Sequence, residues 1–306
     1  MSEADRAAPP ATDERARAFL WIVIAYLAAG IVALLAGIGL AGRHPLLIAA
    51  GADLAATLAV FAFSVAFRNS SFYDAYWSVA PVALTAWFAL APGSEAAVGV
   101  RQLLVIALVA LWAVRLTANW ARGWSGLDHE DWRYVDIRAK TGRLYGLANL
   151  SGIHLFPTVI VFVGCLPLWP ALATGPRPLG PLDALAVLVT LTGIALEFFA
   201  DEELRRFRLS NPPREAICET GLWRFSRHPN YLGEMLFWWG LAIFSLAATG
   251  FVWWAWLGAL AMTAMFRFSS LPMMERRMLE RRPAYAERQK RIPLVVLWPR
   301  QRQRST

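Results

Sequence analysis

Apolar stretches of roughly 17 to 25 residues recur along the chain, each long enough as a helix to cross about 30 Å of hydrocarbon. They fall at 19–42, 46–67, 76–92, 99–121, 148–171, 182–204, 231–248 and 250–268, which predicts eight membrane spans. No segment alternates apolar and polar residues in the manner of a barrel strand, and backbone in lipid must satisfy its own hydrogen bonds, so the spans are expected as helices. The predicted fold is an all-α, polytopic transmembrane bundle over residues 19–268. A polar leader, 1–18, precedes it, and a basic amphipathic tail, 269–306, follows. The first apolar run is longer than a signal-peptide core and lacks a small-residue cleavage site, so it is read as a retained span.

The distribution of Lys and Arg gives this bundle a direction. Alternate loops carry Arg6, Arg15, Arg17 and Arg68, then the segments 122–146, 201–230 and 267–306 with 22 more basic residues. The opposite loops hold only Arg43, Arg101 and Arg177. Cytoplasmic loops are the ones enriched in basic residues, so both termini are expected in the cytoplasm, with a bacterial inner membrane as host. The 306 residues are 57% hydrophobic and 17% charged, a balance that fits a membrane solvent and one continuous domain. The net charge of +8 forms no soluble basic face, which argues against a nucleic-acid partner. Cys165 and Cys218 are far apart, and no metal-type spacing appears, so no metal site is expected. Most of the fifteen tryptophans, Trp21, Trp77, Trp120, Trp124, Trp169, Trp223, Trp253 and Trp298 among them, sit near predicted span ends as an interfacial belt.

Gly37-Ile-Gly39-Leu-Ala-Gly42 spells a dinucleotide fingerprint, but that fingerprint needs a strand before it and a helix after it. Here the glycines close a span, so they are read as helix packing and termination. The segment Gly221 to Glu234 is more informative. Pro229 suits the first turn of a helix, which gathers Arg224, Arg227, His228, Asn230 and Tyr231 at an N-terminus that attracts anions. Asn230, Glu234 and Trp238 then follow at steps of four, on one face directed into the membrane. Glu197, Asp201, Arg205 and Arg208 form a second stripe, and Arg115, Asn119 and Arg122 a third, followed by Asp128 to Tyr134. Intrahelical ion pairing explains such stripes in water. Inside a span, charges such as Arg115, Glu197 and Glu234 call for a polar cavity or a ligand. Arg267 ends the last span, and the tail after it reads either as a helix on anionic lipid or as a lid. Between the second and third spans, Asn69 to Pro81 offers Tyr73, Asp74 and Tyr76 as proton donors to a substrate carbonyl, or as interfacial aromatics with a helix-start aspartate.

The run Arg227-His-Pro-Asn-Tyr-Leu-Gly-Glu234, with Gly221-Leu-Trp-Arg-Phe before it, resembles the C-terminal signature of the steroid 5-alpha-reductase family. Asp201-Glu-Glu-Leu-Arg-Arg-Phe-Arg208 and the tail to Pro293 extend the likeness over roughly the last two-thirds of the chain. Asn69 to Pro81 and Arg115 match a bacterial branch of that family. The resemblance implies NADPH bound at the cytosolic end without a Rossmann domain, with Arg115, Asp201, Arg208, Asn230, Glu234, Trp238 and Arg267 contacting or organising it. It further implies hydride transfer to the β-carbon of a lipophilic α,β-unsaturated ketone while an acid polarises the carbonyl. In the animal steroid reductases a glutamate and a tyrosine hold that carbonyl. Tyr76 and Trp112 stand near those positions here, so steroid specificity does not carry over. His228, Asn230, Glu234 and the tail from Glu275 to Pro293 also resemble the isoprenylcysteine carboxyl methyltransferases, which use S-adenosylmethionine. The expected partners are a lipophilic substrate and membrane lipid, with no obligate protein partner evident.

Overall fold

The computed structural model describes residues 12–91 and 99–297, and among these it contains helices and turns but no strand. Most of the expected polar leader and the end of the tail, including Trp298, lie outside the described residues. The chain divides into two compact units, 1–177 and 178–306.

The first unit opens with α1 (Thr12–Gly39) and α2 (Pro45–Ala66). Gly42 carries the turn between them at φ +82°, a conformation that suits a residue without Cβ, so the apparent dinucleotide fingerprint is the end of a helix. Pro45 begins α2 where an N–H is dispensable, and the His44 ring accepts from the Leu46 amide at 3.2 Å. Along α1, Ala18, Ile22, Ala25 and Ala29 are buried, while Leu20, Val23, Leu27, Ile31, Leu34 and Ile38 are exposed. A helix with small residues inward and large apolar residues outward is built for lipid rather than water. A single helical turn at Ser70–Tyr73 leads to α3 (Tyr76–Leu90), followed by α4 (Val100–Gly123) and α5 (Trp132–Thr141). The Asp131 side chain caps α5 by accepting from the Arg133 amide at 2.8 Å. The short α6 (Tyr145–Ala148) runs through a widened π turn, Asn149–Leu155, into α7 (Phe156–Cys165), and a second π turn follows at Pro170–Thr174. Such widened turns insert an extra residue and redirect side chains, often beside functional groups.

The second unit is a helical hairpin with an appended tail. Its long arms are α8 (Pro181–Leu209) and α9 (Pro229–Thr249). Glycine sets their separation: a Cβ on Gly193 would stand 2.6 Å from the Gly233 carbonyl oxygen and 2.8 Å from the Phe237 amide nitrogen. No side chain fits there, so the two backbones meet directly. After Gly250 ends α9 at φ +91°, the chain continues through α10 (Leu257–Met265), α11 (Leu271–Arg281) and α12 (Tyr285–Arg291).

Among the described residues six helices are long and apolar enough to cross a membrane: Asp13–Gly39, Pro45–Ala66, Val100–Gly123, Trp132–Thr174, Pro181–Leu209 and Pro229–Thr249. Of the eight runs expected, 76–92 folds as α3 with 15 residues, and 250–268 folds as α10 with 9 residues flanked by turns. At about 1.5 Å per residue neither regular helix alone covers about 30 Å of hydrocarbon.

Candidate functional site

In the second unit the Gly193–Gly233 contact brings one face of α8 against one face of α9, and polar groups continue from it toward the ends of both helices. Glu197 and Glu234 are buried. Asn230 donates to Asp201 Oδ1 at 3.2 Å, and its own amide oxygen accepts from the Tyr231 backbone at 3.1 Å. One turn on, Trp238 donates its indole N–H to Glu234 Oε1 at 3.0 Å, as the four-residue spacing requires. The loop before α9 is tied to α8: Trp223 donates to the Ala200 carbonyl at 2.8 Å, and the Leu222 amide to Glu203 Oε2 at 2.8 Å. Gly221 precedes them at φ +52°, with the Glu203 carboxylate filling the space a Cβ would need.

The basic residues of this unit divide into two groups. Arg205 bonds Glu202 at 2.8 Å, one residue along from the Asp201 stripe on which it was expected. Arg224 is exposed over the Phe225 ring at 4.4 Å, Arg267 is exposed over the Phe268 ring at 5.6 Å, and Arg208 is exposed. Arg227, expected at an anion, is instead held by Glu275 of α11. Glu275 also accepts from His228 Nε2 at 2.6 Å, Tyr285 at 2.7 Å and Gln289 at 2.7 Å. Burial, with the charges of Arg227 and Arg288, pushes the His228 imidazole down to about 3. The ring is therefore neutral and gives its Nε2 proton to Glu275. Burial likewise lowers Arg227 and raises the Tyr285 phenol. Arg288, 2% exposed, donates to Glu219 and to the carbonyls of Trp223 and Ser226. The amides of Arg227 and His228 pair with the carbonyls of Pro293 and Leu294, each at 3.0 Å. The tail is thus fastened to the loop through its side chains and its backbone.

In the first unit, Tyr73, Asp74 and Tyr76 lie on one short stretch but serve three different contacts. Asp74 accepts from the Tyr134 hydroxyl at 2.6 Å, and burial pushes its carboxyl up to about 6, above the usual carboxylate range. The Tyr73 hydroxyl shares a hydrogen bond with Thr158 at 2.7 Å, and burial pushes the phenol up. Tyr76 donates to Asp53 Oδ1 at 2.7 Å. Asp53, in the middle of α2, escaped the sequence reading. It is 7% exposed, and its Oδ2 is buried without a hydrogen-bond partner. The available signal was a carboxylate inside an apolar run, which lipid tolerates only with a partner or a function. Thr57, one turn beyond Asp53, meets Thr158 at 2.8 Å, and Ser64 meets His154 Nε2 at 2.9 Å. Arg115 and Asn119 stand half-buried on α4, one turn apart. Among the described residues no group of His, Cys, Asp and Glu is arranged to hold a metal ion.

Residues 60–292 match the DUF1295 family, described as proteins of unknown function. The chain belongs to this family. DUF1295 is steroid 5-alpha-reductase-like, a relationship that points to an enzyme. An uncharacterized protein of Schizosaccharomyces pombe is 29% identical over 255 residues, covering 75% of this chain and 73% of that protein. No solved structure matches the chain. The matched region of DUF1295 contains Tyr73 to Tyr76, both polar helix faces of the second unit and the Glu275 cluster, but begins after Asp53 and Thr57.

Proposed function

We propose that this DUF1295 protein is a membrane-embedded, NADPH-dependent reductase of the C=C bond of a lipophilic enone, with its cofactor face on the cytoplasmic side and both termini there. The observation that carries the proposal is the Asp53–Tyr76 pair: a carboxyl in an apolar helix with Oδ1 held at 2.7 Å and Oδ2 without a partner. As a neutral acid, Asp53 would present its proton at Oδ2 to a carbonyl oxygen, and Tyr76 would stabilise the charge left behind. In this proposal the proton donor is Asp53, and Tyr76, offered from sequence as the acid beside Tyr73 or Asp74, instead holds the Asp53 carboxyl.

The donor set of the second unit suits the proposed cofactor. Arg208, Arg224 and Arg267 present exposed guanidinium groups of the kind that hold phosphates, and the Asp201–Asn230 pair suits ribose hydroxyls or an amide. When bound, NADPH supplies a hydride. The chain's own residues bind and orient it, with Glu234 and Trp238 bracing the face of α9. Arg115 is implied for the cofactor by the resemblance alone, and Asn119 by its place one turn along the same polar stripe.

A second reading has one observation in its favour. Glu275 neutralises Arg227, which lowers the positive charge available to phosphates and weakens the case against S-adenosylmethionine, a cation without phosphates. Thermal unfolding of the full chain in detergent separates the two. At a hundredfold excess over Kd, NADPH is expected to stabilise the protein by about 2.7 kcal/mol. Stabilisation by S-adenosylmethionine with none by NADPH overturns the reductase. Asp53→Asn is expected to lower turnover of a 3-oxo-4-ene steroid, used as an enone probe, by about 10²- to 10⁴-fold.

A further inference from the structure

The loop between α8 and α9 is held from two sides. Toward α8, the Leu222 amide donates to Glu203 Oε2 and the Trp223 indole to the Ala200 carbonyl, each at 2.8 Å. From the tail comes Arg288 of α12, whose side chain is buried at 2% exposure. One terminal nitrogen of its guanidinium donates to Glu219 Oε1 at 3.1 Å, and the other donates to the carbonyls of Trp223 and Ser226. Glu219 is 44% exposed, so water weakens that ion pair and the two carbonyls matter more to the buried cation. A buried guanidinium is costly unless its N–H groups are met, which keeps both carbonyls where they are.

Arg224 stands in the chain between these two anchored carbonyls, with its own guanidinium exposed over the Phe225 ring at 4.4 Å. The next residues are fastened to the same tail segment: the amides of Arg227 and His228 donate to the carbonyls of Pro293 and Leu294, each at 3.0 Å, and the Ser226 hydroxyl to that of Leu294 at 3.4 Å. An exposed arginine on a mobile loop loses backbone and side-chain freedom when an anion orders it. On a clamped backbone only the side chain pays that cost, and binding tightens. The clamp depends on the planar fork of arginine, which meets three acceptors at once; the ammonium of lysine is a point charge on a flexible stem.

We propose that Arg288 is a positioning residue of the cofactor site: buried itself, it holds the carbonyls on either side of Arg224 and so fixes the backbone from which Arg224 reaches a phosphate. The proposal rests on the reading of Arg224 as a phosphate ligand of NADPH. In this role the tail supports the loop from its buried side rather than closing over the site.

Two measurements on the full chain in detergent test this, the first without cofactor. Hydrogen exchange should show the amides from Trp223 to His228 losing protection in Arg288→Lys, which keeps the charge and removes the fork. In an NADPH titration, Arg288→Lys should weaken binding about tenfold, as the loss of one phosphate contact does, but should change nothing further when Arg224→Ala is already present. A merely structural role for Arg288 would weaken binding by the same factor with and without Arg224. Glu219→Ala removes the exposed anchor and leaves both carbonyl bonds, so the same pattern is expected at smaller size; where Arg288→Lys fails to fold, this variant decides. Parent-like protection, parent-like affinity, or an equal loss in both backgrounds overturns the proposal while the NADPH reading stands. Absence of NADPH binding in the parent chain overturns both.

Discussion

The two units handle buried polarity in opposite ways. The first buries hydroxyls and a carboxyl in two sets of short bonds, Tyr73 with Thr158 and Thr57, and Tyr76 with Asp53. The second sets one ion pair, Arg227 with Glu275, at the turn that feeds α9, and adds His228, Tyr285 and Gln289 as neutral donors to the same carboxylate. The difference follows from what surrounds each cluster. Hydroxyls can be satisfied inside an apolar helix bundle without placing net charge there, whereas guanidinium groups need a counter-charge and nearby water.

The largest effect that would break this contrast lies beneath both polar faces of the second unit. Gly193→Ala or Gly233→Ala pushes a methyl group into backbone and should cost about 3 kcal/mol or more, scattering Asp201 from Asn230. A drop in the melting temperature, with loss of the NADPH shift, would confirm it; parent-like behaviour in both would show that the helices part easily. Next, Glu275→Ala leaves Arg227, His228, Tyr285 and Gln289 without their shared acceptor, and should cost about 2–3 kcal/mol in chemical or thermal unfolding. Glu275→Gln should recover part of that loss.

Acid sharpens the contrast, because two named groups respond with opposite sign. His228 titrates near 3 when folded and near 6.5 when unfolded, so the unfolded chain takes up its proton first as pH falls. This contribution to stability is present above about 6.5 and is lost toward pH 3, by up to about 1.4 kcal/mol per pH unit. Asp74, raised to about 6, binds its proton more tightly in the folded state than in the unfolded state. Its contribution therefore grows as pH falls from about 6 toward the ordinary carboxylate value, by less than about 1 kcal/mol per unit given its partial exposure. His228→Gln should flatten the acid loss between pH 6.5 and 5, and Asp74→Asn should leave that loss in place. If Asp74→Asn abolishes it and His228→Gln does not, the assignments are reversed. The smallest expected effect on stability is that of Arg224→Ala, about 0.5 kcal/mol or less for an exposed cation over a ring. NADPH affinity should nevertheless fall about tenfold with the loss of one phosphate contact; unchanged affinity would remove Arg224 from the proposed site.

What the sequence determined by itself is whatever repeats at the helical period or depends on a residue's own backbone. The apolar runs, Pro229 at the start of α9, the glycine ending of α1 and the Glu234–Trp238 contact all follow from neighbours within a turn or two, where spacing dictates geometry. The number of long apolar helices was less legible, because α3 and α10 carry span-like composition in helices of only 15 and 9 residues. Contacts across the chain were left to the tertiary structure. Arg227 was read as an anion ligand because its partner Glu275 lies 48 residues away, and Asp53 was overlooked because Tyr76, 23 residues on, reaches it only once α3 folds back. Which donor meets which acceptor depends on where helices cross and how closely, and in the second unit that distance is set by Gly193 against Gly233. Periodicity assigns a side chain to a face; only packing decides what that face meets.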